Sequence, residues 1–138
     1  MKLVVDTNAI AYLLLETAPF HLAVRDLFSG RHTLHAPSSW EVEYANVLWL
    51  AARAHVISPH AVGEKLRLAA GLGIEGTAVT DLWEAAVEIA LSDDHPVYDT
   101  LFVELARRLR APLVTYDQAV LRKFPDVARR PEQILAGA

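Results

Sequence analysis

The sequence predicts an α/β fold in which a mainly parallel sheet is covered by helices on both faces. Short apolar runs alternate along the chain with longer amphipathic stretches, and this order of elements is typical of a parallel sheet. The chain has 138 residues and no repeat, low-complexity run or linker. Residues 1–138 are therefore expected to form a single domain. Hydrophobic residues make up 53% of the chain and cysteine is absent, so the core must hold without disulfides.

Four short apolar runs predict the strands. The first run ends at Asp6, the second is closed by Pro37, and the last is introduced by Pro112. The tail after residue 124 shows no clear pattern. The predicted strands are residues 3–5, 33–36, 74–79 and 113–115.

Helical periodicity and capping residues predict seven helices between these strands. Ser38 and Glu41 have the spacing of a capping box at the start of the long third helix. Ser58 precedes a proline and predicts an N-cap for the fourth helix, and Thr80 or Asp81 is expected to cap the fifth. Glycines end the second and fourth helices. The predicted helices are residues 9–15, 21–29, 39–55, 59–70, 81–91, 99–108 and 117–123.

The charge pattern is uneven. The net charge is −4, but residues 1–104 carry 6 basic and 14 acidic side chains, whereas residues 105–138 carry 7 and 3. An acidic body with a basic end suits a polyanionic substrate only if a cation occupies the acids; the alternative is a solvated charged surface. Asp6 interrupts the apolar start, which argues against a secretion signal, and no run is long enough to cross a membrane. We expect a cytoplasmic protein.

Several familiar sequence motifs are excluded because the surrounding residues do not provide the structure that each motif requires. Residues 71–76 match G-x-G-x-x-G, but the dinucleotide-binding motif needs a strand before it and a helix after it, and here the order is reversed. These glycines are interpreted as a helix stop and a turn. The six histidines show no metal-ligand spacing, and Ser92, His95 and Asp99 do not form a recognisable catalytic triad.

Four acids stand out because of their surroundings. Asp6 and Asp117 follow predicted parallel strands and so lie at the same edge of the sheet, while Asp99 lies at a helix start. Each of these three, taken alone, is also explained as a helix cap. Glu43 lies in a helix that is apolar nearly all round, which predicts burial. A buried carboxylate is costly unless it pairs with an arginine, reaches water or binds a metal.

Together these acids predict one acidic pocket. Clustered carboxylates repel one another, so some take up protons unless a cation neutralises them. An all-oxygen set of ligands favours Mg²⁺ or Mn²⁺. Thr7 and Thr115 are candidates for supporting hydroxyls, and ordinary capping or β-propensity is the alternative explanation for both.

Four ordered pieces of sequence resemble those of PIN-domain nucleases, and within that group the chain is similar to VapC-type toxins of prokaryotic toxin–antitoxin pairs. The resemblance implies a compact three-layer α/β/α sandwich and cleavage of RNA phosphodiesters that depends on Mg²⁺ or Mn²⁺. It also implies a homodimer and a small antitoxin that blocks the site. The pieces are VVDTN at residues 4–8, EYANVL at 43–48, YDTL at 98–101 and LVTYD at 113–117.

The resemblance also assigns roles to individual residues. Carried over position by position, the catalytic and metal-binding acids are Asp6, Glu43, Asp99 and Asp117, with Thr115 in support. All four acids are present, so an active enzyme is expected.

A basic cluster near the end of the chain is a candidate for RNA phosphate binding. If it does so, the logarithm of RNA affinity falls steeply with the logarithm of salt concentration. Two of its members close a helix, where cations are favoured in any case. The cluster comprises Arg107, Arg108, Arg110, Arg122 and Lys123.

Three alternatives stay open. A Mg²⁺-dependent phosphotransfer domain also places acids at strand ends, but Asn8 stands where a phosphatase needs its second acid, and the paired acids of a receiver are missing. A non-catalytic binding module would use Trp40, Trp49 and Leu50 at an interface and its acids only as caps. A PIN-like RNA-processing nuclease would keep the chemistry and lack the toxin role.

Overall fold

The computed structural model describes residues 1–137 and contains a five-stranded sheet. The strands are β1 (Lys2–Val5), β2 (Thr33–Pro37), β3 (Glu75–Thr77), β4 (Leu113–Val114) and β5 (Ala128–Arg129). Their order across the sheet is β3-β2-β1-β4-β5, and every neighbouring pair is parallel. The predicted fold class is confirmed.

Eight helices connect these strands within residues 1–137. They begin and end close to the predicted bounds, and the last one falls in the tail that showed no pattern. The helices are α1 (Thr7–Leu14), α2 (His21–Phe28), α3 (Trp40–Arg53), α4 (Ala61–Ala70), α5 (Val79–Asp93), α6 (Val97–Leu109), α7 (Gln118–Lys123) and α8 (Pro131–Gly137).

The helices cover both faces of the sheet. Leu3, Val4 and Val5 of β1 point alternately to the two faces, and all three are fully buried. Helices α1 to α4 and α8 pack into one group, whereas α5 and α6 pack together and α6 lies on β1, β2 and β4. The result is a three-layer α/β/α sandwich.

Three predicted N-caps are wrong. The N-cap position of α3 is Ser39, and the Ser38 N–H that a capping box would offer to Glu41 donates instead to the Thr77 carbonyl, at 2.8 Å, beside the pairing of β2 with β3. Ser58 lies ahead of α4, and Thr80 and Asp81 lie inside α5. The sheet edge and the preceding turns, rather than the local capping pattern, set these helix starts.

Helix α3 is less buried than its composition predicted. Its buried residues form one stripe, while Val42 and Trp49 are 75% and 55% exposed. The expectation of burial on most sides is therefore wrong. Trp40, considered for an interface, belongs to the core. Across residues 1–137 the structure shows no helix with the length and apolar character that crossing a membrane requires.

Candidate functional site

The ends of β1 and β4 bring two site residues together. Val5 pairs with Val114, so the residues that follow them lie side by side at the carboxyl edge of the sheet. The Thr115 hydroxyl donates to Asp6 Oδ2 at 2.7 Å. Both side chains are buried. Asp6 and Thr115 therefore occupy the position that a parallel sheet offers for binding and chemistry.

Asp6 is both a helix cap and a buried acid. Its Oδ1 accepts from the Thr7 N–H at 2.7 Å at the start of α1. The pKa of Asp6 is raised from 3.8 to about 7, mainly because burial penalises the charged form. The Thr115 hydroxyl opposes that rise, and the negative charges of Asp99 and Glu43 add to it. Asp6, Asp99 and Glu43 are therefore close enough for their charges to interact.

Asn8 also belongs to this cluster, although the sequence analysis gave it no role. Its Nδ2 donates to Asp6 Oδ2 and to Thr115 Oγ1, both at 3.3 Å, and its Oδ1 accepts from the Tyr116 N–H at 3.2 Å. The amide thereby ties the end of β1 to the end of β4. Its place two residues after Asp6, in the first turn of α1, is the sequence signal that would have indicated this role.

Glu43 reaches the pocket from the first turn of α3. The Thr7 hydroxyl donates to Glu43 Oε2 at 3.4 Å, whereas Oε1 is shielded from water and has no hydrogen-bond partner among residues 1–137. None of the ion pairs in that part of the chain includes Glu43. Burial, together with the charge of Asp99, raises the pKa of Glu43, and the nearby hydroxyls of Ser39 and Thr7 oppose that rise. The proposed arginine partner is therefore absent from the structure as far as it is described.

Asp99 lies in the first turn of α6, with its side chain 28% exposed. The N-cap position of this helix is Pro96, so the interpretation of Asp99 as a cap is wrong. Instead, Asp99 Oδ2 lies 2.7 Å from Nε2 of His95. Sequence reasoning missed this pair because it tested His95 only as a member of a triad; the i, i+4 spacing would have indicated it.

Asp117 joins the site through Thr115. Its N–H donates to Thr115 Oγ1 at 3.0 Å, and its Oδ1 accepts from the Val120 N–H at 3.0 Å as the cap of α7. The capping interpretation is therefore confirmed for Asp117, as it is for Asp6. A cap at the carboxyl edge of a parallel sheet can still present its second oxygen to a ligand.

The acids are near one another but do not form a closed set of ligands. Within residues 1–137, no three or more carboxylate or imidazole side chains are arranged to hold one metal ion as they stand. Asp117 bonds the backbone of α7 and Asp99 bonds His95, so each has turned an oxygen to a local donor.

The donor set nevertheless fits a hard divalent cation. Carboxylate oxygens are the ligands that Mg²⁺ and Mn²⁺ prefer. Glu43 has a shielded oxygen without a partner, and Asp6 holds its proton more tightly than an ordinary aspartate. A cation beside these groups would stabilise both charged forms.

Two of the predicted phosphate ligands are engaged elsewhere. Arg107 donates twice to Asp126, at 2.9 and 3.2 Å, and Arg108 donates to Glu104 one turn earlier at 3.0 Å. These contacts fit the alternative in which the two arginines stabilise the end of α6. Lys123 is exposed, but its ammonium also donates to the backbone carbonyls of Asp93 and Asp94. The remaining predicted phosphate ligands, Arg110 and Arg122, are exposed.

Comparison with known proteins identifies the family. Residues 3–128 match the PIN domain. The chain belongs to the PIN domain family. This PIN domain is also 31% identical over 129 residues to a Pyrobaculum aerophilum protein named Ribonuclease VapC3, a match that covers 91% of the chain and 96% of the relative. Family membership makes the phosphotransfer alternative wrong.

Solved structures share the fold of this PIN domain. PAE2754 from Pyrobaculum aerophilum has a TM-score of 0.75 at 19% identity, covering 99% of this chain and 88% of that one. VapBC2 from Rickettsia felis, bound to a DNA fragment from its promoter, gives 0.67 at 15% identity, covering 94% and 98%. A toxin–antitoxin complex from Klebsiella pneumoniae gives 0.63 at 16% identity, covering 93% and 96%.

Replacing Glu43 with glutamine is expected to separate metal binding from stability. The metal-free variant should be more stable than the wild type by on the order of 1 kcal/mol, because a shielded carboxylate charge is replaced by a neutral amide. Its affinity for Mn²⁺ should fall. Urea unfolding and Mn²⁺ titration measure the two effects.

The matched control for this variant is Glu41→Gln, which removes an exposed charge from the same helix. It should change neither quantity. If Glu43→Gln binds Mn²⁺ as tightly as the wild type, Glu43 does not bind the metal and its role is structural.

Proposed function

We propose that this PIN domain is an endoribonuclease that hydrolyses RNA phosphodiester bonds with Mg²⁺ or Mn²⁺, and that it is the toxin of a toxin–antitoxin pair. The observation that carries the proposal is the acidic pocket at the carboxyl edge of the sheet. There, Asp6 is buried within the electrostatic reach of Glu43 and Asp99. The name of its relative, Ribonuclease VapC3, supports RNA as the substrate.

Asp6, Glu43, Asp99 and Asp117 would hold the divalent cation. When bound, such an ion supplies Lewis acidity, which favours ionisation of water and offsets charge on a phosphoryl oxygen. The chain's own part is to position the acids: Thr115 holds Asp6 by a buried hydrogen bond. The same hydroxyl accepts from the Asp117 N–H, so Thr115 links two of the acids at the carboxyl edge of the sheet.

The basic end of the chain is proposed to contact RNA phosphates. Arg110 and Arg122 are exposed, and cations there would offset the repulsion between the acidic body and the RNA backbone. Lys123 is also exposed, but its ammonium already donates to the carbonyls of Asp93 and Asp94. Arg107 and Arg108 are less suited to this role because each already pairs with an acid.

A small antitoxin and a second copy of the chain are the proposed protein partners. The names of two similar structures, a toxin–antitoxin complex and VapBC2, support the antitoxin. Large apolar side chains at the surface of α3, α5 and α6 support protein contacts in general. The most exposed of these are Leu91, Val42, Tyr98 and Trp49.

Cleavage of a defined single-stranded RNA by the purified protein tests the proposal. Internal cleavage is expected with Mn²⁺ or Mg²⁺ and none with EDTA. Failure to cleave any RNA of a diverse pool in the presence of metal would favour a non-catalytic binding module. Expression in a bacterial host tests the toxin role: growth arrest is expected, whereas an RNA-processing nuclease would cleave RNA without arresting growth.

A further inference from the structure

His95 lies in the short turn between α5 and α6 and is not used by the site as described so far. Its side chain is 5% exposed, and Nε2 lies 2.7 Å from Asp99 Oδ2. An ionised carboxylate can only accept hydrogen bonds, so the imidazole donates and carries its proton on Nε2. Asp99 therefore has a short, shielded hydrogen bond on one of its two oxygens.

The backbone around His95 fixes where the ring lies. Asp94 adopts a left-handed conformation with φ of 50° and ends α5. The His95 N–H then donates to the Ala90 carbonyl at 3.2 Å, and Pro96 leads directly into α6. This turn places His95 four residues before Asp99, so that the imidazole lies beside the carboxylate at the start of the helix.

The end of helix α7 also contacts the turn that contains His95. The edge of the His95 ring packs perpendicular to Phe124, with 5.4 Å between the ring centres. The Lys123 ammonium donates to the carbonyls of Asp93 and Asp94, at 3.3 and 2.7 Å. Both Phe124 and Lys123 lie at the end of α7, the helix that Asp117 caps. The ring is thus restrained independently of α6.

We propose that His95 is a positioning residue that orients the Asp99 carboxylate for the divalent cation. This inference rests on the proposed function. Asp99 lies within electrostatic reach of Asp6 and Glu43, and like charges repel, so a hydrogen-bond donor is needed to fix the direction of its carboxylate. The hydrogen bond from His95 fixes Oδ2 of Asp99, and Oδ1 takes no part in it. Hydrogen-bonded partners of this kind commonly orient carboxylates that bind metals.

Two variants separate orientation from packing. His95→Phe keeps an aromatic ring against Phe124 and removes the donor, whereas His95→Gln keeps an N–H donor of similar reach. We expect His95→Phe to weaken Mn²⁺ binding about 10- to 100-fold and His95→Gln to restore most of the affinity. Binding is measured by electron paramagnetic resonance of free Mn²⁺, and the free energy of unfolding is measured without metal. The same loss of affinity in both variants would overturn the proposal.

Controls distinguish this inference from the proposed function itself. His35→Phe removes an equally buried histidine, bonded to Thr33, and should leave Mn²⁺ affinity unchanged. Wild-type protein that does not bind Mn²⁺ would overturn the metal site and the inference together. Binding that depends on Asp99 but is unaffected in His95→Phe would overturn the inference alone. If His95→Phe does not fold, His95→Met replaces it as the variant without a donor and is compared with His95→Gln.

Discussion

Asp99→Asn is expected to lower the rate of RNA cleavage by about a hundredfold or more, since loss of even an outer partner of a metal ligand typically costs 10- to 100-fold. The carboxylate of Asp99 lies in the pocket, where its charge raises the pKa of both Asp6 and Glu43. It is not a helix cap, and asparagine keeps an oxygen that accepts from His95. The fold should therefore persist while a ligand of the cation is lost. Initial rates on one RNA, with Mn²⁺ in excess, measure the effect.

Asp93→Asn is the matched control for this loss of activity. Asp93 is an exposed acid at the end of α5, and it contacts Lys123 through its backbone carbonyl rather than its carboxylate. Its replacement removes the same charge near Asp99 and should leave the rate unchanged. Near-normal cleavage by Asp99→Asn would show that the acidic pocket is not where the chemistry takes place.

Asp6→Asn is expected to stabilise the metal-free protein at neutral and higher pH. In the folded protein the pKa of Asp6 is about 7, compared with 3.8 for an unburied aspartate. Between these values the folded state keeps a proton that the unfolded state releases, so the free energy of unfolding falls as pH rises from about 4 to about 7. Asparagine does not titrate, so the variant does not lose stability over this pH range. The gain above pH 7 should be roughly 2–4 kcal/mol, and it should disappear near pH 4.

Urea unfolding in EDTA at several pH values measures this gain. Asp26→Asn, which removes an exposed carboxylate from α2, serves as the control and should not change the pH dependence. A difference between Asp6→Asn and the wild type that is the same at pH 4 and pH 8 would contradict the assignment of a raised pKa to Asp6. A gain in stability on removal of a buried acid is typical of a residue retained for function.

The sequence was most informative where a site residue follows directly from a strand. Asp6 and Thr115 come immediately after β1 and β4, and the rule that parallel strands place their carboxyl ends at one edge predicts their meeting. The same local pattern predicts helix caps at Asp6 and Asp117, and both are caps. For Asp6 the two interpretations are compatible, because one oxygen accepts from the Thr7 N–H at the start of the helix and the other accepts from Thr115 at the end of β4.

The shielding of Glu43 has a different cause from the one that its sequence indicates. Its helix is exposed along one side, as Val42 and Trp49 show, so general burial does not explain the position of the acid. Glu43 is shielded because it lies in the first turn of α3, close to Thr7 at the start of α1. That proximity depends on how two helices pack, which periodicity alone cannot predict.

Contacts between distant segments could not be predicted from local patterns. The hydrogen bond from Asn8 to Thr115 and the contact of His95 with Phe124 join segments that meet only in the folded chain. The strand β5 is two residues long and is defined by its pairing with β4. It is too short to show the alternation of apolar and polar residues that predicts a strand. Sequence alone therefore predicts the main acids better than it predicts the side chains that support them.

The most direct test of the acidic metal site is the midpoint of thermal unfolding with and without Mn²⁺, for the wild type and for the Asp6→Asn/Asp99→Asn double variant. Binding to the folded state stabilises it by about 2.7 kcal/mol when free ligand is a hundredfold above its dissociation constant. We predict that Mn²⁺ raises the midpoint of the wild type and leaves that of the double variant unchanged. No rise in the wild type at millimolar Mn²⁺, or an equal rise in both proteins, would contradict the account.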